Sequence, residues 1–323
     1  MKHVRVYFVV LCFLLSQALF ADASSRNTKP LHVLVSTYPI YQITRNVTKG
    51  VSGVSVKLMI PGNMGCPHDY GLTPQDMKKI AETDVFVVNG LGMEEFMGKA
   101  FHKTNPGIKI IDSSKGVKEI MAYSDDGEED HGDHDKHHHD MHGDHHGHDH
   151  HGLNPHLFAS PRMAALIAGN IANGLGKADP AHARQYVDNA KAYAGTLNDL
   201  ARQFREAGKT LKNNRIVTQH GVFDYLARDM GLSVVAVISA HAGHEMSAHD
   251  ILHVVSVVRK EKPGAIFTEP QYPDKEGKTI SAETGIPVSL LDPVASGPDD
   301  APLDYYEKVM KKNLETLVRV LGK

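Results

Sequence analysis

The strongest restriction on the fold is an alternation of β-rich runs and amphipathic segments that passes through the chain twice, with one long helical stretch between the two passes. In the first pass, β-rich runs at 31–38, 55–60, 85–89 and 108–112 are separated by helical patterns, one opened by Thr73-Pro74 and one around 94–102. Proline is well placed at a helix start, where its missing N–H has no partner to lose. The second pass carries runs at 215–220, 233–238, 265–268 and 288–292, separated by helical patterns at 225–230, 251–260 and 275–283 and followed by a terminal helix from about 303 to 321. Strands that alternate with helices pair in parallel, because each crossover needs a helix to return the chain.

Between the passes, residues 161–175 and 181–207 are helical in pattern. Tyr186, Ala190, Tyr193, Leu197, Leu200 and Phe204 recur at spacings of three and four, the stripe of a helix buried along one side. At 323 residues the chain exceeds the usual single-domain size. The expected fold class is α/β, with two lobes that each hold a mostly parallel sheet flanked by helices and are joined by a long connecting helix. The lobes are placed at 24–160 and 213–323, with the connecting helices at 161–212.

Two further segments stand outside that pattern. Residues 1–23 combine a basic start, a short apolar run and small residues at Ala21 and Ala23, which reads as a cleaved secretory signal peptide. Cys12 lies inside its apolar run, so the mature chain would keep only Cys66 and form no internal disulfide. Residues 124–152 are nearly all His, Asp, Glu and Gly, and the stretch 131–151 holds 11 of the chain's 22 histidines. Without apolar periodicity such a segment cannot offset its ordering entropy, so it is expected to form a mobile acidic His-rich loop. A net charge of -3 and the lack of a sustained basic cluster argue against nucleic acid as a partner.

Ligands of open α/β sheets bind beyond the carboxyl ends of the strands, where loops and helix starts converge. Four residues satisfy this rule. His68 follows the run at 55–60 across a Pro61-Gly62 turn, His220 and Asp292 end the runs at 215–219 and 288–291, and His156 lies where the first lobe meets the connecting helices. A single such residue is more often a satisfied polar group or a helix cap. Together, two from each half describe a metal site in the cleft between the lobes. Three imidazoles with a carboxylate or water suit tetrahedral Zn²⁺, whereas oxygen-rich sites suit manganese. Asp69 and Asp224 stand close enough in sequence to orient the histidines, although solvated surface carboxylates are the simpler expectation for both.

The surrounding motifs are Cys66-Pro67-His68-Asp69-Tyr70, Asn154-Pro155-His156-Leu157-Phe158-Ala159-Ser160-Pro161, Gln219-His220-Gly221-Val222-Phe223-Asp224-Tyr225 and Leu291-Asp292-Pro293. With Glu269-Pro270-Gln271 and the His-rich insertion, this ordered set resembles the cluster of metal-binding proteins that serve zinc and manganese ABC importers, in its ZnuA-like zinc branch. The resemblance covers essentially the whole mature chain. It implies that His68, His156 and His220 are imidazole ligands and that Asp292 holds the family's carboxylate position. Manganese carriers of this cluster typically place a carboxylate where this chain has His220, which favours zinc.

The implied function is a periplasmic protein, monomeric and not an enzyme, that captures Zn²⁺ and delivers it to an ABC permease in the inner membrane. The competing readings are a manganese-binding importer subunit, a zinc-dependent hydrolase, and an adhesin or zinc store without a permease. Cys66 departs from the family pattern and reads as a small, partly buried residue. His244-Glu245 is followed by His249 rather than by a histidine at 248, so the two imidazoles would not share a helix face as a zinc protease requires.

Overall fold

The computed structural model describes residues 29–65, 70–98, 103–123, 152–239 and 246–322. The signal segment, Cys66, His68, Asp69, the His-rich stretch 124–151, His241 and His244 lie outside the described residues. The described residues form two four-stranded sheets, each parallel throughout. The first contains β1 (Leu31–Val35), β2 (Val54–Leu58), β3 (Val85–Val88) and β4 (Lys109–Asp112) in the order β2-β1-β3-β4. The second contains β5 (Arg215–Thr218), β6 (Ser233–Val237), β7 (Ala265–Thr268) and β8 (Val288–Leu290) in the matching order β6-β5-β7-β8.

Both sheets are covered on both faces, which is why their central strands are apolar along their length rather than alternating. In the first sheet Val33, Val35, Val85 and Val87 face a core shared with helices α1 (Tyr38–Val47) and α3 (Pro161–Ala178). Leu34 and Phe86 face the other way, toward Ile80 of α2 (Pro74–Ala81), a helix started by a Thr73/Asp76 capping box. In the second sheet Ile216 and Phe267 join the shared core, while Val217 and Ile266 pack with Val254, Val255 and Val258 of α6 (Ala248–Glu261) and Ile280 of α7 (Lys275–Thr284).

Helices α3 and α4 (Ala183–Gly208) lie side by side between the sheets. At 26 residues, α4 is about 39 Å long. It buries Tyr186, Ala190, Tyr193, Leu197, Leu200 and Phe204, the stripe predicted from spacing. One continuous apolar core runs from the first sheet through α3 and α4 to α5 (Asp224–Met230), α8 (Tyr305–Leu321) and the second sheet. Among the described residues, no helix is long and apolar enough to cross a membrane.

The lobes also meet directly. Tyr38 Oη, Arg45 Nη1 and Asn46 Nδ2 of α1 donate to the carbonyls of Pro298 (2.9 Å), Ala301 (2.6 Å) and Leu303 (2.9 Å), so residues 298–303 of the second lobe lie along a helix of the first. Gly297 N donates to Gly62 O at 2.8 Å.

One local expectation fails. Instead of a helix around 94–102, the described part holds a single 3-10 turn, Glu95–Met97. Gly90, Leu91 and Gly92 all take positive φ, which turns the chain back on itself before a helix can start. That turn draws the Glu94 carboxylate in between the ends of β1 and β3, where it accepts from Ser36 Oγ (2.7 Å), Asn89 N (2.7 Å) and Gly90 N (3.1 Å).

Candidate metal centre

In a sheet ordered β6-β5-β7-β8 the chain reverses its direction of winding between β5 and β7, and the crevice at those two strand ends is the natural ligand position. His220 lies just beyond β5 and Glu269 just beyond β7. His220 Nδ1 is 2.5 Å from Glu269 Oε1, and both side chains are withdrawn from solvent, at 2% and 0% exposure. The carboxylate is itself held in place: Oε2 accepts from Gln271 Nε2 (2.7 Å), and the Glu269 amide donates to Gln219 Oε1 (2.8 Å). An ionised carboxylate can only accept, so the proton of neutral His220 resides on Nδ1 and its Nε2 carries a free lone pair. That Nε2 is buried and, among the described residues, has no hydrogen-bond partner. A buried polar atom left this way costs about 1–3 kcal/mol, an expense that a metal bond would offset.

His156 is fully buried and precedes a 3-10 turn, Leu157–Ala159, that leads into α3. Its Nδ1 is 2.9 Å from Asn154 Oδ1, which also accepts from the His156 amide at 3.0 Å. The Asn154 amide group points its Nδ2 at Gly221 O (2.8 Å) and Asp224 Oδ2 (2.9 Å), so its oxygen faces the imidazole. By the same logic as for His220, Nδ1 donates and Nε2 is the basic nitrogen of the neutral ring. The two imidazoles meet edge to face with centroids 5.1 Å apart, and Phe158 and Tyr123 lie edge-on to His156 at 5.8 Å each. Tyr272 stands edge-on to His220 at 5.9 Å.

Asp292 follows β8 on the same sheet edge. Its main chain is clamped to Asn313 by Asp292 N to Asn313 Oδ1 (3.0 Å) and Asn313 Nδ2 to Asp292 O (2.6 Å), while Asp292 Oδ1 accepts from Val294 N (2.8 Å). Burial pushes its carboxyl above the usual range; the Val294 amide and Lys312 oppose this and the Glu269 charge adds to it. His220, Glu269 and Asp292 thus all follow strands of the second sheet at its carboxyl end, with the Glu269 charge felt at Asp292.

The structure thus brings His156 and His220 together and sets Asp292 on the adjoining strand end, while His68 lies outside the described residues. Among the described residues no three His, Cys, Asp or Glu side chains converge closely enough to hold an ion by themselves. Two supporting residues were not singled out as such from sequence. Glu269 obeys the same strand-end rule as His220, so that rule would have found it; Asn154, two residues before His156, carries no comparable signal. Asp224 corrects an expectation: it is 2% exposed, not a solvated surface carboxylate, because it anchors Asn154 from across the lobe boundary. His249 is exposed in the first turn of α6.

Two parallel-sheet lobes with a shared core and a histidine pair at their junction define a two-lobed α/β binding-protein architecture. Residues 33–320 match the family described as zinc-uptake complex component A, periplasmic (ZnuA). The chain is 30% identical to the high-affinity zinc uptake system protein ZnuA of Bacillus subtilis, over 98% of this chain and 97% of that one. It is 31% identical to the zinc-binding protein AdcA of Streptococcus pyogenes serotype M6, over 88% of this chain and 55% of that protein. The solved structure of the solute-binding protein FpvC of Pseudomonas aeruginosa in complex with Ni²⁺ superposes with a TM-score of 0.73 at 28% identity, covering 91% of this chain and 97% of FpvC. The chain belongs to the ZnuA family of zinc-uptake components.

Proposed function

We propose that this protein captures one Zn²⁺ between its lobes and delivers it to an ABC permease, with His68, His156 and His220 as imidazole ligands and Asp292 as the fourth. The observation that carries the reading is His220: its Nδ1 is fixed by Glu269 while its buried Nε2 has no hydrogen-bond partner among the described residues. Zn²⁺ is cargo here, bound and released with no bond made or broken. Both Glu269 oxygens are engaged, by His220 and Gln271, so this carboxylate orients a ligand and is not free to activate water for hydrolysis. Three imidazoles in the set favour zinc over manganese.

The protein works outside the cytoplasm, in the periplasm, after removal of residues 1–23, as a monomer. Its lobes span 24–160 and 213–323 with the connector at 161–212, and the insertion at 124–152 collects zinc for the cleft. The test is chelator competition with Zn²⁺ and Mn²⁺ on the purified protein and on His68→Ala, His156→Ala and His220→Ala. Severe loss of zinc affinity in all three is expected. Wild-type titrations in all three would refute the ligand set.

A further inference from the structure

Two glycines meet backbone to backbone where the lobes touch, Gly297 N donating to Gly62 O at 2.8 Å. A Cβ added to Gly62 would lie 2.4 Å from Gly297 O, 3.0 Å from Asp299 Oδ1 and 3.0 Å from Tyr38 Cδ2. A Cβ added to Gly297 would lie 2.4 Å from Tyr38 Oη and 2.5 Å from its Cζ. Neither glycine has a left-handed φ, so it is the contact, and not backbone freedom, that excludes a side chain. Tyr38, wedged between them, is 2% exposed and donates to Pro298 O.

We infer that Gly62 and Gly297 are positioning residues of the metal centre: their Cβ-free contact sets the separation of the lobes, and with it the spacing between His156 of the first lobe and His220 and Asp292 of the second. This rests on the metal-site reading above. Gly62 follows the carboxyl end of β2, whose exit is tied to β1 through Met59 N to Val35 O and Ile60 N to Ser36 O. Gly297 lies five residues after Asp292, on a segment that Asn313 grips at one end and Tyr38, Arg45 and Asn46 grip at the other. With both ends fixed, a displacement at the glycines cannot be absorbed locally and passes into the sheet edges. Ordinary van der Waals contact for a Cβ begins at 3.4 Å, so a single methyl at either position demands a shift of about 1 Å from the present 2.4 Å. Metal–ligand distances tolerate only about 0.2 Å. A change far smaller than lobe opening is therefore enough to spoil coordination.

The experiment uses the full chain and compares Gly62→Ala and Gly297→Ala with Gly195→Ala, an exposed position on α4 where a Cβ meets nothing within 4 Å. Zinc dissociation is followed by chelator chase, and thermal unfolding is recorded with and without zinc. At least tenfold faster release and a smaller zinc-induced rise in Tm are expected for Gly62→Ala and Gly297→Ala, with Gly195→Ala unchanged. A packing defect alone lowers both Tm values equally and leaves release unaltered, which would overturn the inference. If a glycine variant does not fold, Tyr38→Phe removes the bond to Pro298 O without adding bulk; a several-fold faster release supports the inference and wild-type release overturns it. If His156→Ala and His220→Ala also keep zinc, the site reading falls with it; if they lose zinc while the glycine variants hold it normally, only the positioning role falls.

Discussion

Removing the Glu269 carboxylate should weaken zinc binding without touching a ligand. In Glu269→Ala the Nδ1–H of His220, a side chain with 2% exposure, loses its Glu269 partner, a loss of about 1–3 kcal/mol. Gln271 Nε2 loses its acceptor as well. At about 1.4 kcal/mol per factor of ten, the expected decrease in zinc affinity is on the order of 10- to 100-fold, the range found when the hydrogen-bond partner of a metal-bound histidine is removed. Glu269→Gln keeps the volume and an acceptor oxygen but loses the charge, which roughly halves the strength of the bond. Gln271 can turn its amide to present Oε1, which is now buried and unpartnered, to the new NH₂ group. The Gln variant should therefore lie near the tenfold end. The assay is competition with a chromophoric chelator, with unfolding of the zinc-free protein as the check on folding. A folded Glu269→Ala protein that binds zinc within twofold of wild type would refute the role given to this carboxylate.

Single replacement of His156, His220 or His68 by Ala should lower zinc affinity at least 100-fold, and Asp292→Ala by about tenfold because water can take the fourth position; equal effects at all four, by the same titration, would show Asp292 to be as essential as the imidazoles. Deletion of 131–151 should leave one tight zinc site and abolish weaker binding in a stoichiometry titration, since the four proposed ligands lie outside it; loss of the tight site would mean that the insertion supplies a primary ligand. Burial pushes the Glu94 carboxyl up to about 7, against the donors Ser36, Asn89 and Gly90. The folded protein then holds this proton more tightly than the unfolded chain does, so the group's contribution is most favourable below about pH 4.5 and worsens by about 3 kcal/mol as pH rises to 7 and beyond. Urea unfolding of zinc-free protein from pH 4.5 to 8 should show this slope in wild type and not in Glu94→Gln; parallel profiles would count against it.

Much of the fold was legible because parallel α/β units write a strong pattern: apolar runs at β1, β3, β5 and β7 and a three-four stripe on α4. His220 and Asp292 do lie just beyond β5 and β8, the positions the strand-end rule gave them. What it could not reach depended on packing between distant segments. The Asn154–Asp224 bond joins residues 70 apart and exists only because the lobes dock, so nothing near Asp224 in sequence distinguishes it from a solvated aspartate. The turn at 90–92 defeats helical periodicity because its positive φ values are stabilised by the Glu94 carboxylate that the turn itself brings inward. Glu269 was visible as part of a motif, but its role comes from a neighbour 49 residues away.

The two sheets share one strand order, so each has an equivalent crevice, at β1/β3 and at β5/β7. The first is filled by the chain's own Glu94, with three donors already committed to it; the second keeps an imidazole nitrogen unspent. The same strand order thus carries two crevices of different chemistry, one satisfied from within by a carboxylate and one that presents a nitrogen donor. A substitution at His220, Glu269 or Asp292, at the ends of β5, β7 and β8, touches none of the bonds that hold Glu94 between β1 and β3.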